Sequence, residues 1–313
     1  MKLVSIDLAP GYRTGVLIGD EVLDFGLSGE ILPLANWVPS DMRLLLAGGR
    51  AALDIIRGFI TAIAENPALA PALREAGALT QQSAVRLGPP VPRPGILLSH
   101  GRAYHDHLKE MRGSDAVPSE DPSGFLKNTN SITASGSPIR LPPHRATMVD
   151  FEGEFSIVFG ARCHNVTEAE ALDYVAGYTI INDVSARDWV GHFRQTGNPD
   201  LNRAGKQFPT FTPMGPCIVT KDEIPDPHDL TLQTTLNGKI MQDAHTSGLI
   251  WRIPALISYF SEFYCFEPGD ILTTGSPSGV GFGRKPPVFM QPGDIVEVTV
   301  TGVGTLSNKI IAG

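Results

Sequence analysis

The sequence predicts an α+β fold in which a small N-terminal domain precedes a larger, strand-rich domain. Apolar residues recur at helical spacing in residues 40–66, whereas short apolar runs bounded by Gly and Pro dominate after residue 90. Four prolines within residues 86–100 separate the two parts, because neither a helix nor a central strand can run through them. A chain of 313 residues, 42% of them hydrophobic, can also bury a large core.

The N-terminal elements are predicted from the first 66 residues. The segment KLVSIDLAPGYRTGVLIGDEVLDFG alternates short apolar runs with Gly and Pro turn signals, which favours two or three strands of a small meander. Helices follow in residues 40–66, and Ser40 or Asp41 is a suitable N-cap. We therefore place a small α/β domain at residues 1–90 and the domain that carries the chemistry at residues 91–313.

Composition bears on partners and compartment. The 25 Lys and Arg against 33 Asp and Glu give a net charge of -8, and no basic run is interleaved with aromatics, which argues against nucleic acid and against an anionic membrane. The three cysteines lack CxxC spacing, so we expect them to be reduced. Asp7 breaks the first apolar run, and no stretch approaches the ~18 apolar residues of a membrane span. The expected compartment is the cytoplasm.

The same turn sequence precedes two predicted strands near the end of the chain. The sequence PGDI occurs at residues 268–271 and again at residues 292–295, each time before an apolar run, ILTTG in the first case and IVEVTV in the second. A Pro-Gly turn followed by such a run predicts a strand.

Paired carboxylates stand inside the apolar stretch MVDFEGEFSIVFG, residues 148–160. Side chains alternate faces along a strand, so Glu152 and Glu154 point the same way, opposite to Phe151 and Phe155. One interpretation is the solvated face of a half-buried strand. The other is a pair of metal ligands.

A third acid favours the metal-ligand interpretation. TEAEALDYVAG is predicted to be a helix that opens with a capping box, Thr167 with Glu170, and stops at Gly177. The apolar strand YTII follows, and Asp183 sits just after it, where an acid is costly unless it binds something. Three carboxylates with no adjacent Cys or His suit Mg²⁺, Mn²⁺ or Ca²⁺ better than zinc.

A histidine and a glutamate are paired in SHGRAYHDHLKEMRG. If Tyr104 to Met111 is helical, His107 and Glu110 are three residues apart on one face, so the carboxylate can orient the imidazole as a general base. The alternatives are a solvated turn of helix and a metal-binding pair. His105 is predicted to lie on the surface. The glycine-rich GSPSGVGFGRKPP runs into two prolines instead of opening a helix, so we exclude a nucleotide-binding loop.

Together these motifs resemble the fumarylacetoacetate hydrolase superfamily. The resemblance is carried by VDFEGEFSIVFG, EALDYVAGYTIINDVSARD, GKQFPTFTPMG, FEPGDILTTGSPSGVG and PGDIVEVTVTGVGTLSN, which occur in the family's order over roughly residues 95–310. It implies a catalytic domain of mixed β-sheets forming a roll, a homodimer, and a divalent metal, Mg²⁺ or Mn²⁺ with Ca²⁺ as a further option. The implied ligands are Glu152, Glu154 and Asp183.

The resemblance also implies roles for other positions. His107 and Glu110 match the family's lid dyad, Lys206 matches the lysine of its GK motif, and Arg187, Tyr104 and Ser276 are the implied substrate contacts. The sequence departs from the family pattern at Ala103, Val190 and Ser276, where Asn, Gln and Thr are usual. His100 occupies the position at which some members place an additional acidic metal ligand, and whether it contacts the metal is left open.

The implied reaction is the hydrolysis of a C–C bond in a 2,4-dioxo acid. A metal and Lys206 would stabilise an enolate while His107 activates water. The expected substrate is an acylpyruvate such as fumarylpyruvate, maleylpyruvate or fumarylacetoacetate, from aromatic catabolism. The alternative keeps the site but changes the outcome, to tautomerisation, isomerisation of a hydroxymuconate or decarboxylation of oxaloacetate. A non-catalytic metal-binding scaffold is the contrasting hypothesis.

Overall fold

The computed structural model describes residues 1–144, 146–189, 197 and 203–313. The α-helices wholly within these ranges are α1 (Phe25–Ser28), α2 (Met42–Ala47), α3 (Gly49–Glu65), α4 (Leu69–Glu75), α5 (His105–Arg112) and α6 (Ile253–Phe263). The strands are β1 (Lys2–Asp7), β2 (Tyr12–Ile18), β3 (Glu21–Asp24), β4 (Leu79–Gln81), β5 (Leu97–Gly101), β6 (Ser123–Leu126), β7 (Ile132–Ala134), β8 (Ile139–Leu141), β9 (Val149–Asp150), β10 (Gly153–Phe159), β11 (Val175–Asn182), β12 (Ser185–Ala186), β13 (Thr212–Thr220), β14 (Thr231–Leu236), β15 (Lys239–His245), β16 (Ile271–Thr273), β17 (Ile295–Val300) and β18 (Gly304–Ala312).

The N-terminal elements match their prediction. Strands β1, β2 and β3 form an antiparallel meander. Asp41 caps α2, because its side chain accepts hydrogen bonds from the N–H groups of Arg43 and Leu44. The predicted helical stretch is divided between α2 and α3 at Gly48 and Gly49, and Gly49 has a positive φ of 56° that breaks the helix.

One large mixed sheet joins the N-terminal strands to the rest of the chain. In the described part of the chain its order is β4-β3-β2-β1-β13-β11-β10-β16-β5-β6, with β7 also paired to β13. The junction is the antiparallel pair β1 and β13, in which Leu3 faces Ile218. Leu3 and Ile218 also belong to one buried apolar cluster that extends to Leu45 of α2. The sheet and its core are thus continuous across the boundary that we predict near residue 90, and the division into two domains stays a prediction.

A second sheet packs against the first. Its order among the described residues is β15-β14-β17-β18-β8. Val298 of β17 and Leu232 of β14 lie in the same buried cluster as Phe155 and Ile157 of β10. The sheets approach each other closely at Gly153, where a Cβ atom would lie 2.8 Å from Cγ1 of Val298, so a larger residue would push them apart. Two packed mixed sheets with flanking helices confirm the predicted α+β sheet roll.

Two other sequence predictions have different outcomes. Both PGDI turns launch strands, β16 from Ile271 and β17 from Ile295, as predicted. The helix predicted at TEAEALDYVAG is wrong, because a short 3-10 helix spans Ala171–Tyr174 and β11 begins at Val175. One capping-box contact does form, with the main-chain N–H of Thr167 donating to Oε2 of Glu170 at 3.2 Å, but pairing of β11 with both β10 and β13 outweighs helical propensity.

Within the ranges that the structure describes, none of the helices combines the length and apolar character needed to cross a bilayer.

Candidate active site

Three buried carboxylates meet where β10 begins and β11 ends. Glu152 immediately precedes β10, Glu154 lies in it, and Asp183 follows β11, whose Asn182 pairs with Gly153. One oxygen from each carboxylate lies within 4.8 Å of the others. Glu152 is 6% exposed, and Glu154 and Asp183 are each 1% exposed, so the solvated-face interpretation is wrong.

Two lysines hold these carboxylates. Nζ of Lys206 donates to Oε2 of Glu152 at 2.7 Å and to Oδ2 of Asp183 at 2.6 Å. Nζ of Lys127 donates to Oδ1 of Asp183, and also to the main-chain oxygens of Lys206 at 2.9 Å and Phe211 at 3.2 Å. The three donors of the Lys127 ammonium group are therefore all used, and Lys127 fixes both Asp183 and the backbone that carries Lys206.

Arg187 links a fourth acid, Asp150, to the three carboxylates. Nε and Nη2 of Arg187 each lie 2.8 Å from Oδ2 of Asp150, and Nη2 also pairs with Oε1 of Glu152. Asp150 is fully buried. We call these seven side chains the buried charge cluster: Lys127, Asp150, Glu152, Glu154, Asp183, Arg187 and Lys206. In this structure Arg187 is engaged with two acids, and its predicted contact with substrate stays a prediction.

The two glutamates of the cluster have opposite electrostatic environments. Burial raises the pKa of Glu154, and the charges of Asp183 and Glu152 raise it further, to well above its ordinary value. Burial also acts to raise the pKa of Glu152, but neighbouring positive charges, that of Lys206 foremost, outweigh it and leave the pKa below its ordinary value. For Lys206, burial lowers the pKa, but the charges of Asp183 and Glu152 raise it more, so this lysine stays protonated at neutral pH.

The carboxylates fit a hard divalent cation. Oε2 of Glu154 is buried and has no hydrogen-bond partner in the described part of the chain, which is costly for a carboxylate unless something binds there. The three ligand atoms are all oxygens, the donor type that Mg²⁺, Mn²⁺ and Ca²⁺ prefer. Glu152, Glu154 and Asp183 can therefore hold a divalent metal, which agrees with the predicted cofactor class.

The predicted acid–base dyad forms on α5. Nδ1 of His107 lies 3.0 Å from Oε2 of Glu110, and both side chains are largely buried, with 10% and 15% exposed. His107 is one of the positive charges that lower the pKa of Glu152, after Lys206 and Arg187, so the ring lies within electrostatic reach of the carboxylates. His105, on the other side of α5, is exposed as predicted. The interpretation of His107 and Glu110 as a solvated turn of helix is therefore wrong.

The other predicted substrate contacts lie in buried positions. The hydroxyl of Tyr104 is buried without a hydrogen-bond partner among the described residues, and burial together with the charge of Glu154 raises its pKa. Oγ of Ser276 accepts a hydrogen bond of 2.8 Å from Nε2 of Gln242. An unpartnered hydroxyl near the carboxylates is available to a ligand, but both substrate contacts stay predictions.

His100 faces away from the carboxylates. Nδ1 of its ring donates to the main-chain oxygen of Ser123 at 2.9 Å, and the ring packs edge-on against Phe260. The preceding residue, Ser99, is the one that reaches Asp183, at 3.2 Å, and adjacent residues of a strand point to opposite faces. Burial lowers the pKa of His100 to about 4. The structure therefore does not place His100 among the metal-capable donors. Val190, a departure from the family pattern, lies outside the described residues.

Two members of the buried charge cluster were missed by sequence reasoning. Asp150 shares the alternating face of Glu152 and Glu154, so strand periodicity could have found it. Lys127 gives no local signal, since its carboxylate partner lies 56 residues further along the chain.

The fold and the carboxylate site agree with what comparison with known proteins finds. The family model described as fumarylacetoacetate (FAA) hydrolase C-terminal matches residues 97–311, well over half of the chain. The chain belongs to the fumarylacetoacetate hydrolase family, a family of enzymes.

Two relatives of this chain are named as oxaloacetate tautomerases. The chain is 36% identical to the mitochondrial oxaloacetate tautomerase fahd2 of Xenopus laevis, covering 99% of this chain and 90% of the relative. It is 38% identical to the oxaloacetate tautomerase YisK of Bacillus subtilis (strain 168), covering 73% of this chain and 74% of the relative.

Solved structures with the same fold include a hydrolase and an isomerase. Maleylpyruvate hydrolase of Sphingobium sp. SYK-6, in complex with manganese(II) and pyruvate, has a TM-score of 0.74 at 26% identity, with 100% of both chains covered. The 5-carboxymethyl-2-hydroxymuconate delta-isomerase of Mycobacterium smegmatis has a TM-score of 0.71 at 30% identity, with 100% of this chain and 99% of the other covered.

Proposed function

We propose that this enzyme is an oxaloacetate tautomerase, which interconverts the enol and keto forms of oxaloacetate. The observation that carries the proposal is the juxtaposition of a carboxylate-held His107 with the buried acids that can hold a divalent metal. Such a site can bind a 2-oxo acid and move a proton on it. The identity to two oxaloacetate tautomerases, 36% over 99% of this chain in one case, supports oxaloacetate as the substrate.

The reaction transfers one proton and breaks no C–C bond. In the enol, the proton leaves the C2 hydroxyl and a proton is added at C3, which gives the ketone. A divalent metal held by Glu152, Glu154 and Asp183 would supply Lewis-acid stabilisation of the enolate charge. His107 carries the proton at C3 through Nε2, because Nδ1 is held by Glu110. Glu110 stabilises the imidazolium that forms when His107 takes up this proton.

Lys206 stabilises the charge on the enolate oxygen. It is buried, stays protonated, and borders both Glu152 and Asp183, so its ammonium group stands beside the metal ligands. Burial strengthens its attraction for a developing negative charge, because little water is present to screen it.

Cleavage of an acylpyruvate is the second candidate. The structural similarity to maleylpyruvate hydrolase over the whole chain favours it, and the same dyad would then activate water instead of carrying a C3 proton. Decarboxylation of oxaloacetate is a third outcome of the same enolate chemistry, and it would release pyruvate.

The products distinguish these outcomes. Enol-oxaloacetate is added to enzyme supplied with Mg²⁺ or Mn²⁺, loss of enol absorbance is followed, and keto-oxaloacetate and pyruvate are measured with separate coupling dehydrogenases. We expect rapid loss of the enol with formation of keto-oxaloacetate and no added pyruvate. Pyruvate release from oxaloacetate, or faster turnover of a panel of acylpyruvates, would reject the tautomerase assignment in favour of decarboxylase or hydrolase.

His107→Ala tests the proton carrier. We expect a loss of ~10²-fold to 10⁴-fold in tautomerisation, the usual contribution of a positioned acid–base group. His105→Ala is the matched control, since it removes an exposed imidazole from the same helix and should leave the rate unchanged. Equal activity of the two variants would show that His107 is not the proton carrier.

A further inference from the structure

The glycine-rich loop, residues 275–287, binds two carboxylates through its backbone. The N–H of Gly279 donates to Oε1 of Glu110 at 3.0 Å. Two residues later, the N–H groups of Gly281 and Phe282 donate to the two carboxylate oxygens of Asp150, at 2.7 and 3.0 Å. The same short loop therefore holds one acid from α5 and one acid from the buried charge cluster.

Both acids are already engaged with a functional neighbour. The second oxygen of Glu110 bonds to Nδ1 of His107 at 3.0 Å, so the loop and the imidazole share this carboxylate. Oδ2 of Asp150 accepts hydrogen bonds from both Nε of Arg187 and the N–H of Phe282. Arg187 also forms an ion pair with Glu152. Hydrogen bonds, the loop backbone between Gly279 and Gly281, and the ion pair of Arg187 with Glu152 therefore connect His107 to the carboxylates.

The sequence of the loop is fitted to these two carboxylates. A Cβ atom on Gly281 would lie 2.7 Å from Oδ1 of Asp150 and would overlap the main-chain oxygen of Val288. A Cβ atom on Gly283 would overlap the carboxyl group of Glu110. Glycine at both positions lets the backbone approach the two acids closely, which gives the glycine pattern of this loop a structural reason.

We propose that Asp150 is a positioning residue for the acid–base step: by holding the N–H groups of Gly281 and Phe282 it fixes the loop that orients Glu110 and, through it, His107. Asp150 is fully buried, contacts the loop twice, and does not touch His107. Its loss frees the loop, which allows the Glu110 carboxylate and the imidazole to rotate. A displacement of about 1 Å in a reacting group can cost about a hundredfold in rate.

Asp150→Asn is the direct test, because it keeps the size of the side chain but replaces one acceptor oxygen with an amide donor. We expect kcat for enol-oxaloacetate to fall by about tenfold to a hundredfold, while KM and the Mn²⁺ affinity measured by calorimetry change by less than about threefold. This readout rests on the proposed function. A kcat that does not change, or a Mn²⁺ affinity that falls as far as kcat, would overturn the proposal, the latter because Asp150 would then act through Arg187 and Glu152.

Amide hydrogen exchange tests the same path without any substrate. In Asp150→Asn we expect the N–H of Gly279, which does not touch Asp150, to exchange at least about tenfold faster than in the wild type. Unchanged exchange at Gly279 would overturn the coupling even if oxaloacetate proves to be the substrate. Faster exchange would support it even if another 2-oxo acid is the substrate, so the two failures are distinguishable.

Gly283→Ala perturbs the same path from its other end, by pushing on Glu110. We expect a fall in kcat similar to that of Asp150→Asn, and a double variant no slower than the slower single variant, since both act on one element. Gly58→Ala is the control, because a Cβ there meets nothing within 4 Å, and it should behave as wild type. Fully additive losses would overturn the proposal. If Asp150→Asn does not fold, the contrast between Gly283→Ala and Gly58→Ala decides it, and equal kcat values would overturn the proposal.

Discussion

One ion pair of the buried charge cluster and one surface ion pair of α3 have the same contact distance but opposite exposure. Lys206 lies 2.6 Å from Asp183, and Arg57 lies 2.6 Å from Asp54. The side chains of Lys206 and Asp183 are 14% and 1% exposed, whereas those of Arg57 and Asp54 are 39% and 52% exposed. The distance between charges therefore does not reveal their effect, which depends on how much water surrounds them.

Charge balance is the second difference. On α3, Arg57 contacts Asp54 and Asp222, and exposed pairs of this kind are screened by water and salt. In the buried charge cluster, four acids face three cations, and one oxygen of Glu154 has no hydrogen-bond partner in the described structure. A buried excess of negative charge favours an added cation, which the surface pairs do not need. Three substitutions test this contrast.

The largest effect is expected for Glu154→Gln. It removes one of the three carboxylates that can hold a metal, without leaving a buried cation unpaired, whereas substitution of Asp183 would leave Lys127 without its counterion. We expect Mn²⁺ affinity to fall by more than about a hundredfold, since even contacts outside the ligand shell are worth about tenfold to a hundredfold. Calorimetric titration with Mn²⁺ measures it, and an affinity equal to wild type would contradict the assignment of Glu154 as a ligand.

The same variant has a pH signature in the presence of chelator. Burial and the charges of Asp183 and Glu152 raise the folded-state pKa of Glu154, so on raising the pH the unfolded chain loses this proton first. The wild type therefore loses stability as pH rises from the unfolded-state pKa towards the folded-state pKa. Glu154→Gln should remove this contribution and be more stable than wild type above that window, as measured by urea denaturation at several pH values.

An intermediate effect is expected for Lys127→Met. It leaves Oδ1 of Asp183 and two main-chain oxygens without their buried donor, and breaking a buried ion pair in this way costs about 3 to 5 kcal/mol of unfolding free energy. Lys221→Met is the matched control, because Lys221 donates one hydrogen bond, to the main-chain oxygen of Leu172, and should cost about 1 kcal/mol. Equal losses in urea denaturation would refute the view that Lys127 anchors the cluster.

The smallest effect is expected for Arg57→Ala. Exposed ion pairs contribute at most about 1 kcal/mol, so the free energy of unfolding should fall by no more than that and the turnover of oxaloacetate should not change. Added salt should reduce the difference from wild type, since the pairs of Arg57 with Asp54 and Asp222 are open to solvent. A loss that persists in high salt would show that Arg57 contributes through packing instead of charge.

The parts of the site that follow from local periodicity could be predicted from the sequence. Alternation along a strand placed Glu152 and Glu154 on one face, and helical spacing placed His107 beside Glu110. The same alternation also places Asp150 on this face, so its membership of the buried charge cluster was predictable from the sequence as well. The α+β class was likewise predictable from strand and helix signals.

The rest depended on contacts between distant segments. Lys127 meets Asp183 only because β6 and β11 lie in one sheet, and no pattern near Lys127 signals this. The wrong helix prediction at residues 167–177 has a similar cause. The N–H of Thr167 bonds to the Glu170 side chain as a capping box requires, but pairing with β10 and β13 draws the chain into β11 from Val175 onward. Tertiary hydrogen bonds outweighed a local signal.

The pairing of β1 with β13 also has a consequence for the order in which the molecule can be assembled. Lys2 faces Val219 and Leu3 faces Ile218, so this ladder has a very large contact order. During synthesis, β1 has no partner on this edge until residues 212–220 have left the ribosome, although β2 can pair with it early. Until then the N-terminal meander has one unpaired edge, and the nascent chain is open to misassociation and to chaperone binding.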